Sequence, residues 1–459
     1  MLLSGCGLLH NYDRELQATN EQLISGNVDG ALQLLEQHNP WDDKDLLYSL
    51  EKGELLRLKG DLSRSQDAWR TADQQVSQYE EGTQVVATLK NLGLDQILGI
   101  GLIGDKFHRY EGYDYEKVML TTQMALNQLA QNDFDGARVD IKKSHEREAL
   151  IATQRDKQYL AVEDQAKAKG IKLRYKDLQG YPVTTLDSPQ VIALKNGYQS
   201  AFSHYLAGFV YEALGERDLA APGYRQAIEL RPNTLLLEKA LSNLGKPADT
   251  SPDSDVLIIV QTGLAPALVS LRVPIQVQTE DGQVITVNQP FPVLVADKST
   301  TPLKQISVDG KPQSLTLLNS TTHMSLRTLH DDMPAIINFA LASVRFNAEL
   351  QAKENKRKPA KASSVYQGFT GDSDTRTWRT LPDNTLVVRL RLKPGAHKLL
   401  LSGVKGAVPV SVNIEHPFQV VSLRVIGNQV FLLPDDTKKP LHSQWPRLYW
   451  RAFVIAIWH

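Results

Sequence analysis

The chain has 459 residues, of which 42 % are hydrophobic and 22 % are charged, and its 51 basic residues nearly cancel its 52 acidic ones. This composition is typical of globular proteins and excludes extended disorder, a collagen-like repeat and a disulfide-stapled miniprotein. The balanced charge gives no bulk field that would draw the chain onto nucleic acid, so no nucleic-acid partner is predicted. No apolar run reaches the roughly 18 residues that a transmembrane helix needs.

The only cysteine of the chain, Cys6, ends the sequence Leu-Ser-Gly-Cys at positions 3–6. This pattern is similar to a lipobox, in which a signal peptidase cuts before the cysteine and a diacylglyceryl group is attached to its sulfur. We interpret residues 1–6 as the end of a lipoprotein signal and expect Cys6 to anchor the chain, since more than one acyl chain holds a protein stably at a membrane. Gly7, not Asp, follows, and the resemblance then implies an outer-membrane anchor facing the periplasm. The alternative is an ordinary thiol.

Residues 8–245 are predicted to be helical, and one stretch, Ala201–Thr234, fits a 34-residue tetratricopeptide repeat (TPR). Two small residues let the two helices of the repeat cross closely, a glycine turns the chain between them, and a proline ends the second helix. The signature positions are held by Gly208, Tyr211, Gly215, Ala220, Tyr224, Ala227 and Pro232.

Weaker copies of the repeat surround Gly26, Gly60 and Asn132. Three or more units are needed to bury a continuous core, so the sequence predicts a helical solenoid of four. Between the second and third copies, residues 99–104 match the G-x-G-x-x-G dinucleotide fingerprint. That fingerprint requires a preceding strand, which the helical surroundings do not provide. We interpret it as an apolar loop or a close helix contact, with contact to lipid or a partner as the alternative.

The first helices of stacked repeats line a concave groove in which a peptide or helix can lie. In the strongest repeat the residues predicted to face this groove are Phe202, Tyr205, Phe209 and Glu212. Because three of the four are aromatic, they predict binding of an apolar segment of a protein partner. The alternative is that these aromatic side chains pack against a neighbouring repeat.

The composition changes at residues 246–255, a polar linker that contains two prolines. Beyond it, β-branched residues alternate with polar ones, which predicts a β-rich, sandwich-like domain over residues 256–440. One helix, predicted over residues 331–355, interrupts this domain and begins with two aspartates. The fold class expected from the sequence is therefore α+β in two domains, an N-terminal all-α TPR-like repeat and a C-terminal β-rich domain with an inserted helix.

Three further segments stand out in the second half. The basic segment 353–361 is interpreted as a solvated helix end, with contact to an anionic surface as the alternative. In the phrase Asp374–Pro382 we expect a structural loop with Arg376 paired to Asp374 and Trp378 in the core. The aromatic tail 441–459 fits a terminal strand, a partner-binding segment or an artefact of the reading frame, and these alternatives stay open.

Several short sequence segments, taken together in chain order, resemble those of an uncharacterised family of TPR lipoproteins of Gram-negative bacteria. The resemblance spans roughly residues 10–402, and it implies a periplasmic protein anchored to the outer membrane, with no established catalytic residues to carry over. The segments are Tyr110–Val118, Ala125–Leu129, Asn132–Arg138, Ala201–Thr234, Gly263–Pro266, Asp374–Pro382 and Pro394–His397.

The sequence carries no nucleophile elbow, no phosphate-binding loop and no H-E-x-x-H zinc motif. His323 and His330 lie close in sequence, but their spacing matches no common metal-ligand pattern. We therefore predict no catalytic residue, no cofactor and no metal. The function expected is a lipid-anchored periplasmic scaffold that binds envelope proteins through its repeats. The alternatives are a regulator of peptidoglycan synthesis and an envelope hydrolase with its site in the β domain.

Overall fold

A computed structural model of the protein describes residues 12–38, 44–91, 109–168, 173–244, 246 and 252–433. Cys6, the glycine-rich stretch 99–104 and the tail 441–459 lie outside the described residues, so the predictions made for them stay predictions.

All regular elements described between residues 12 and 244 are helical, as the sequence predicts. Four antiparallel pairs follow one another along the chain: α1 with α2, α3 with α4, α5 with α6, and α9 with α10. Among the described residues, none of the helices combines the length and apolar character that a membrane span requires. The helices are α1 Tyr12–Ser25, α2 Val28–His38, α3 Leu46–Leu58, α4 Leu62–Asn91, α5 Asp114–Ala130, α6 Phe134–Ala168, α7 Val183–Leu186, α8 Pro189–Ile192, α9 Ala201–Ala213, α10 Arg217–Leu230 and α11 Leu235–Leu244.

The turn inside each pair has the same geometry. Gly26, Gly60, Asn132 and Gly215 all have left-handed backbones, with φ of 88°, 86°, 58° and 78°. In each turn this residue's N–H bonds the carbonyl three residues earlier, and the next N–H bonds the carbonyl five residues before it. This is the Schellman ending of a helix, and it confirms the four repeats read from the sequence.

The close crossing predicted for the strongest repeat is confirmed at Gly208. A Cβ placed on Gly208 would lie 2.5 Å from the ring of Tyr224, so only glycine fits there. Ala220 and Tyr224, on the second helix of the pair, are fully buried. The small residues therefore set the distance between α9 and α10.

Residues 252–433 form three sheets, and β1 is the central strand of the largest one. The strands are β1 Ser254–Thr262, β2 Ala267–Gln278, β3 Val284–Val295, β4 Gln305–Val308, β5 Lys311–Ser314, β6 Thr316–Ser320, β7 Asn384–Leu392, β8 Gly395–Leu400, β9 Val410–Ile414, β10 Phe418–Ile426 and β11 Gln429–Leu433. The five-stranded sheet has the order β11-β10-β1-β7-β6, the four-stranded sheet the order β5-β4-β8-β9, and β2 and β3 form a hairpin.

Strand β1 pairs parallel with β10 and antiparallel with β7, in a register that sets Asp255 opposite Phe418 and Arg391. It begins at Ser254, inside the predicted linker 246–255, because the N–H of Asp255 donates to the carbonyl of Pro417 and starts the ladder. Its unbroken apolar run, residues 256–260, suits a strand that is buried on both faces.

One face of the five-stranded sheet packs against the four-stranded sheet, which gives the sandwich-like part that the sequence predicts. Its other face carries Leu257, Ile259, Val387 and Val420, and these residues share one apolar cluster with helices α9 and α10. The molecule thus has three layers here: helical repeats, the five-stranded sheet and the four-stranded sheet.

The inserted helix, α12, spans Thr321–Arg357 rather than the predicted 331–355. The sequence pattern places the start later because the adjacent aspartates at 331 and 332 are residues that a first helical turn favours. The N-cap is Ser320, whose side chain accepts a hydrogen bond from the N–H of His323. The aspartates instead lie mid-helix, where Arg327 pairs with Asp331. One face of α12 packs on the β2–β3 hairpin.

Candidate functional site

The concave face of the repeats is formed by α3, α5 and α9, and strands of the five-stranded sheet contact each of these helices. Phe202, Tyr205 and Phe209, which were predicted to bind a partner, are fully buried there. The ring of Phe209 meets the edge of Phe418, from β10, with centroids 5.8 Å apart. The expectation of an open groove at these residues is therefore corrected: the chain's own sheet covers this face.

The fourth predicted contact residue, Glu212, also lies at the contact between α9 and the five-stranded sheet, here called the junction. Its carboxylate pairs with the guanidinium of Arg389 at 2.9 Å and accepts the hydroxyl of Tyr224 at 2.5 Å. Arg389, from β7, also pairs with Asp255 at 2.7 Å. Glu212 therefore links α9 to the sheet.

The phrase Asp374–Pro382, here called the crossing segment, runs between the repeats and the sheet. Arg376 pairs with Asp374 at 2.6 Å, and Trp378 is fully buried, so the interpretation as a structural loop is confirmed. The indole of Trp378 lies edge-on to that of Trp69, from α4, with centroids 6.1 Å apart. The crossing segment therefore covers the part of the concave face that α3 and α5 form.

Two buried carboxylates hold the backbone of the crossing segment. Glu51, from α3, accepts the N–H of Arg379 at 2.7 Å and both the N–H and the hydroxyl of Thr380. Burial raises the pKa of Glu51 to about 7, although these hydrogen bonds act to lower it. The phenol of Tyr12 also donates to Glu51, at 3.3 Å.

Glu116, from α5, repeats the arrangement one helix pair further along. It accepts the N–H of Trp378 at 2.7 Å, the hydroxyl of Thr377 at 3.0 Å and the phenol of Tyr110. Burial raises the pKa of this carboxyl as well. The sequence analysis predicted a role for neither glutamate. The signal that could have found them is a carboxylate on a helix face that is otherwise apolar.

A charged layer lies deeper in the junction. Arg424, from β10, pairs with Glu54 at 3.0 Å and donates to the carbonyl of Thr380 at 3.1 Å. Arg57 donates to the side chain of Gln261 at 2.9 Å, and burial lowers the pKa of both guanidiniums. These bonds tie the repeats, β1, β10 and the crossing segment into one polar network.

The second helices of the pairs leave an open groove between α4 and α6, of about 550 Å³, here called the outer groove. Arg147 crosses its floor, paired with Asp73 at 2.9 Å and with Glu80 at 3.3 Å. Its rim is acidic, because Glu81 is exposed and Glu146 is two-thirds exposed. The groove is lined by Asp73, Gln74, Ser77, Gln78, Glu80, Glu81, Lys143, Glu146, Arg147 and Leu150.

Within the described ranges, no cluster of three or more histidine, cysteine or acidic side chains is placed to hold a metal ion. His330 bonds Asp331 at 2.9 Å through Nδ1, and burial lowers the pKa of His323. The structure does not bring these two histidines into a shared ligand set.

Comparison with known proteins adds a likeness to TPR structures. No model of a known protein family matches the chain. No curated protein matches it either. Similar solved structures include the TPR2AB domain of yeast Sti1 in complex with an HSP90 peptide, at 12 % identity, a TM-score of 0.19 and coverage of 50 % of this chain and 82 % of that one.

Two other similar structures are bacterial. A TPR protein of Parabacteroides merdae is 12 % identical, with a TM-score of 0.14 and coverage of 51 % of this chain and 99 % of that one. PilF of Pseudomonas aeruginosa is 16 % identical, with a TM-score of 0.15 and coverage of 50 % and 96 %.

Proposed function

We propose that this protein is a non-catalytic interaction scaffold of the cell envelope, and that its outer groove takes an extended segment of a partner protein. The observation that carries the proposal is the groove itself. Its volume of about 550 Å³ lies within the range of binding clefts, and it runs between two long helices that are braced by ion pairs. The concave face cannot serve in this way without displacing the sheet.

The lining of the outer groove favours a basic or polar partner segment over an apolar one. Four carboxylates line it against two cations, and both cations are already paired with Asp73, Lys143 at 2.9 Å and Arg147 at 2.9 Å. Glu81 at the rim, together with Glu146, which lies 3.9 Å from the ammonium group of Lys142, then adds attraction that steers a cationic segment into place and weakens as salt rises. The polar walls can bond the backbone of such a segment.

The proposed location rests on the sequence around Cys6. A lipidated Cys6 would anchor the scaffold to the outer membrane, facing the periplasm, where its partners would be envelope proteins. Cys6→Ser should abolish palmitate labelling in cells and release the chain into the soluble periplasmic fraction. Labelling that persists in the Cys6→Ser variant would contradict the anchor while leaving the groove proposal intact.

The groove proposal is tested by cross-linking in cells from the native locus. A photoreactive amino acid at Ser77, inside the groove, should capture one envelope protein reproducibly, whereas the same group at Leu219, exposed on α10, should not. Glu81→Lys with Glu146→Lys should remove the captured protein, since both substitutions reverse the charge of the rim. Capture that is the same from both positions, or that survives the charge reversal, would contradict a partner in this groove.

The identity of the captured protein separates the scaffold from the narrower alternative. A peptidoglycan synthase on Ser77 would assign the scaffold to the regulation of cell-wall synthesis, and its deletion should then change peptidoglycan composition. Capture of another class of envelope protein would assign the scaffold to the process in which that protein acts.

A further inference from the structure

The outward face of α12 carries an apolar stripe that nothing in the described part of the chain covers. Phe339, Phe346 and Leu350 are 52 %, 65 % and 41 % exposed. They follow one another at spacings of seven and four residues, which places them within a narrow arc of one helix face and over about 16 Å of its length. The opposite face of the same stretch, at Val344 and Ala348, is fully buried. This part of α12 is therefore apolar on both sides.

The residues that follow the stripe are strongly basic. Residues 339–361 contain six lysines and arginines against two glutamates, in a chain whose net charge is −1. On a helix of 3.6 residues per turn, Lys353 and Arg357 continue the line of the two phenylalanines. Lys356 and Lys358 pair with Asp281 and Glu354, whereas Arg345 and Lys353 are exposed and make no ion pair with any described residue. The positive charge beside the stripe therefore favours an anionic binding partner.

We propose that this face of α12 docks on an anionic lipid surface. Phenylalanine and leucine side chains in line on one helix face, with lysines and arginines beside and beyond them, match helices that lie in the plane of a membrane interface. The apolar side chains enter the boundary between headgroups and acyl chains, and the cations stay at the phosphates.

The docking does not depend on the outer groove or on Cys6. The position of the stripe on α12 determines how the chain is oriented on the lipid surface. The stripe is parallel to the axis of α12, so the helix lies flat on the lipid. The β2–β3 hairpin packs on the opposite face of α12 and is therefore held away from the surface.

The test uses the full chain with Cys6→Ser, so that no acyl chain contributes. The chain should float with vesicles of phosphatidylethanolamine and phosphatidylglycerol and should not float with vesicles of phosphatidylcholine alone. Phe339→Ser with Phe346→Ser should weaken flotation at least tenfold, as should Lys353→Glu with Arg357→Glu. The matched control is Val139→Ser with Leu219→Ser, two exposed apolar side chains on α6 and α10, which should leave flotation unchanged.

A second readout follows the stripe directly. With Cys6→Ser, a single cysteine introduced as Phe346→Cys carries an environment-sensitive dye, whose emission should rise on adding the anionic vesicles. Flotation that is equal on neutral and anionic vesicles would overturn the proposal, and so would full binding by the two-serine variant. A dimer in sedimentation that the two serines abolish, with no flotation of the parent chain, would instead assign the stripe to a second copy of this chain and overturn the lipid proposal.

Discussion

Glu51 accepts the backbone N–H of Arg379 at 2.7 Å, although 328 residues separate the two in sequence. The carboxylate lies on the first helix of a repeat, and the N–H belongs to the segment that directly precedes β7 in the β-rich half. A helix face that could have bound a partner's backbone binds its own chain's backbone instead. Glu116 does the same for Trp378 at 2.7 Å. The two glutamates make the crossing segment part of the concave face.

Replacing this carboxylate tests how much it stabilises the fold. Both oxygens of Glu51 accept bonds from the crossing segment, so Glu51→Leu leaves the buried N–H groups of Arg379 and Thr380 without an acceptor, whether or not the parent carboxyl is protonated. We expect a loss of about 1–3 kcal/mol in the free energy of unfolding, measured by urea denaturation. An unchanged midpoint would show that the bonds contribute nothing.

The same variant has a predicted pH dependence. Burial raises the pKa of Glu51 to about 7, above the value near 4.3 of an unfolded glutamate, so the folded chain binds this proton more tightly. The contribution of Glu51 to stability is therefore full below about pH 4.3 and declines as the pH rises to about 7. The difference in unfolding free energy between the parent chain and Glu51→Leu, which does not titrate, should shrink over that interval. A difference that grows with pH would mean that the buried carboxyl is ionised throughout.

The crossing segment is expected to be held mainly by its tryptophan. Trp378 is fully buried against Trp69, and Trp378→Ala should cost about 3–5 kcal/mol in the free energy of unfolding. Phe369, which is 72 % exposed, is the control, and Phe369→Ala should stay within about 0.5 kcal/mol of the parent chain. If the two substitutions cost the same, Trp378 does not anchor the segment.

The ion pairs between the repeats and the sheet can be ranked by burial. Arg389→Met leaves Glu212 and Asp255 facing each other in a largely buried site, and we expect a loss of about 3 kcal/mol. Arg272→Met breaks a half-exposed pair with Asp372 and should cost less than about 1 kcal/mol. Thermal unfolding of both variants provides the comparison, and equal shifts of the midpoint would show that burial does not decide the strength of these pairs.

The four equivalent turns give a backbone test. Gly215 has a φ of 78° and open space around its Cα, so Gly215→Ala should cost about 1 kcal/mol through backbone strain alone. Asn132 adopts a similar conformation at φ 58°, and Asn132→Gly should be neutral within about 0.5 kcal/mol. Unfolding in urea should separate the two variants, and a neutral Gly215→Ala would argue against a strained turn.

The sequence predicts those parts of the fold that depend on neighbours along the chain. The turns at Gly26, Gly60 and Gly215 and the pair Asp374–Arg376 each depend on a few adjacent residues, and the close crossing at Gly208 depends on the next helix of the same repeat; the structure has all of them as predicted.

What the sequence could not supply was the pairing of distant segments. Phe202 and Phe209 have the spacing of groove residues, and only the position of β10 decides that the chain itself covers them. The edge strands β5 and β11 and the inner strand β4 have only four or five residues each, and their places in the sheets depend on pairings between strands that are distant in sequence. The helix α12 starts upstream of the predicted residue 331 because its cap, Ser320, is followed by a first turn without acidic residues.

The distance in sequence between the repeats and the residues that cover them sets an order of events in folding. The apolar concave face is synthesised first, but the crossing segment and β10 complete it only after about residue 426. Until then, no part of the β-rich half covers Trp69 and Phe209. Bringing segments together that are so distant in sequence is slow compared with forming the helix pairs. Nascent or translocating chains should therefore expose this face for a long time and rely on chaperones to avoid aggregation.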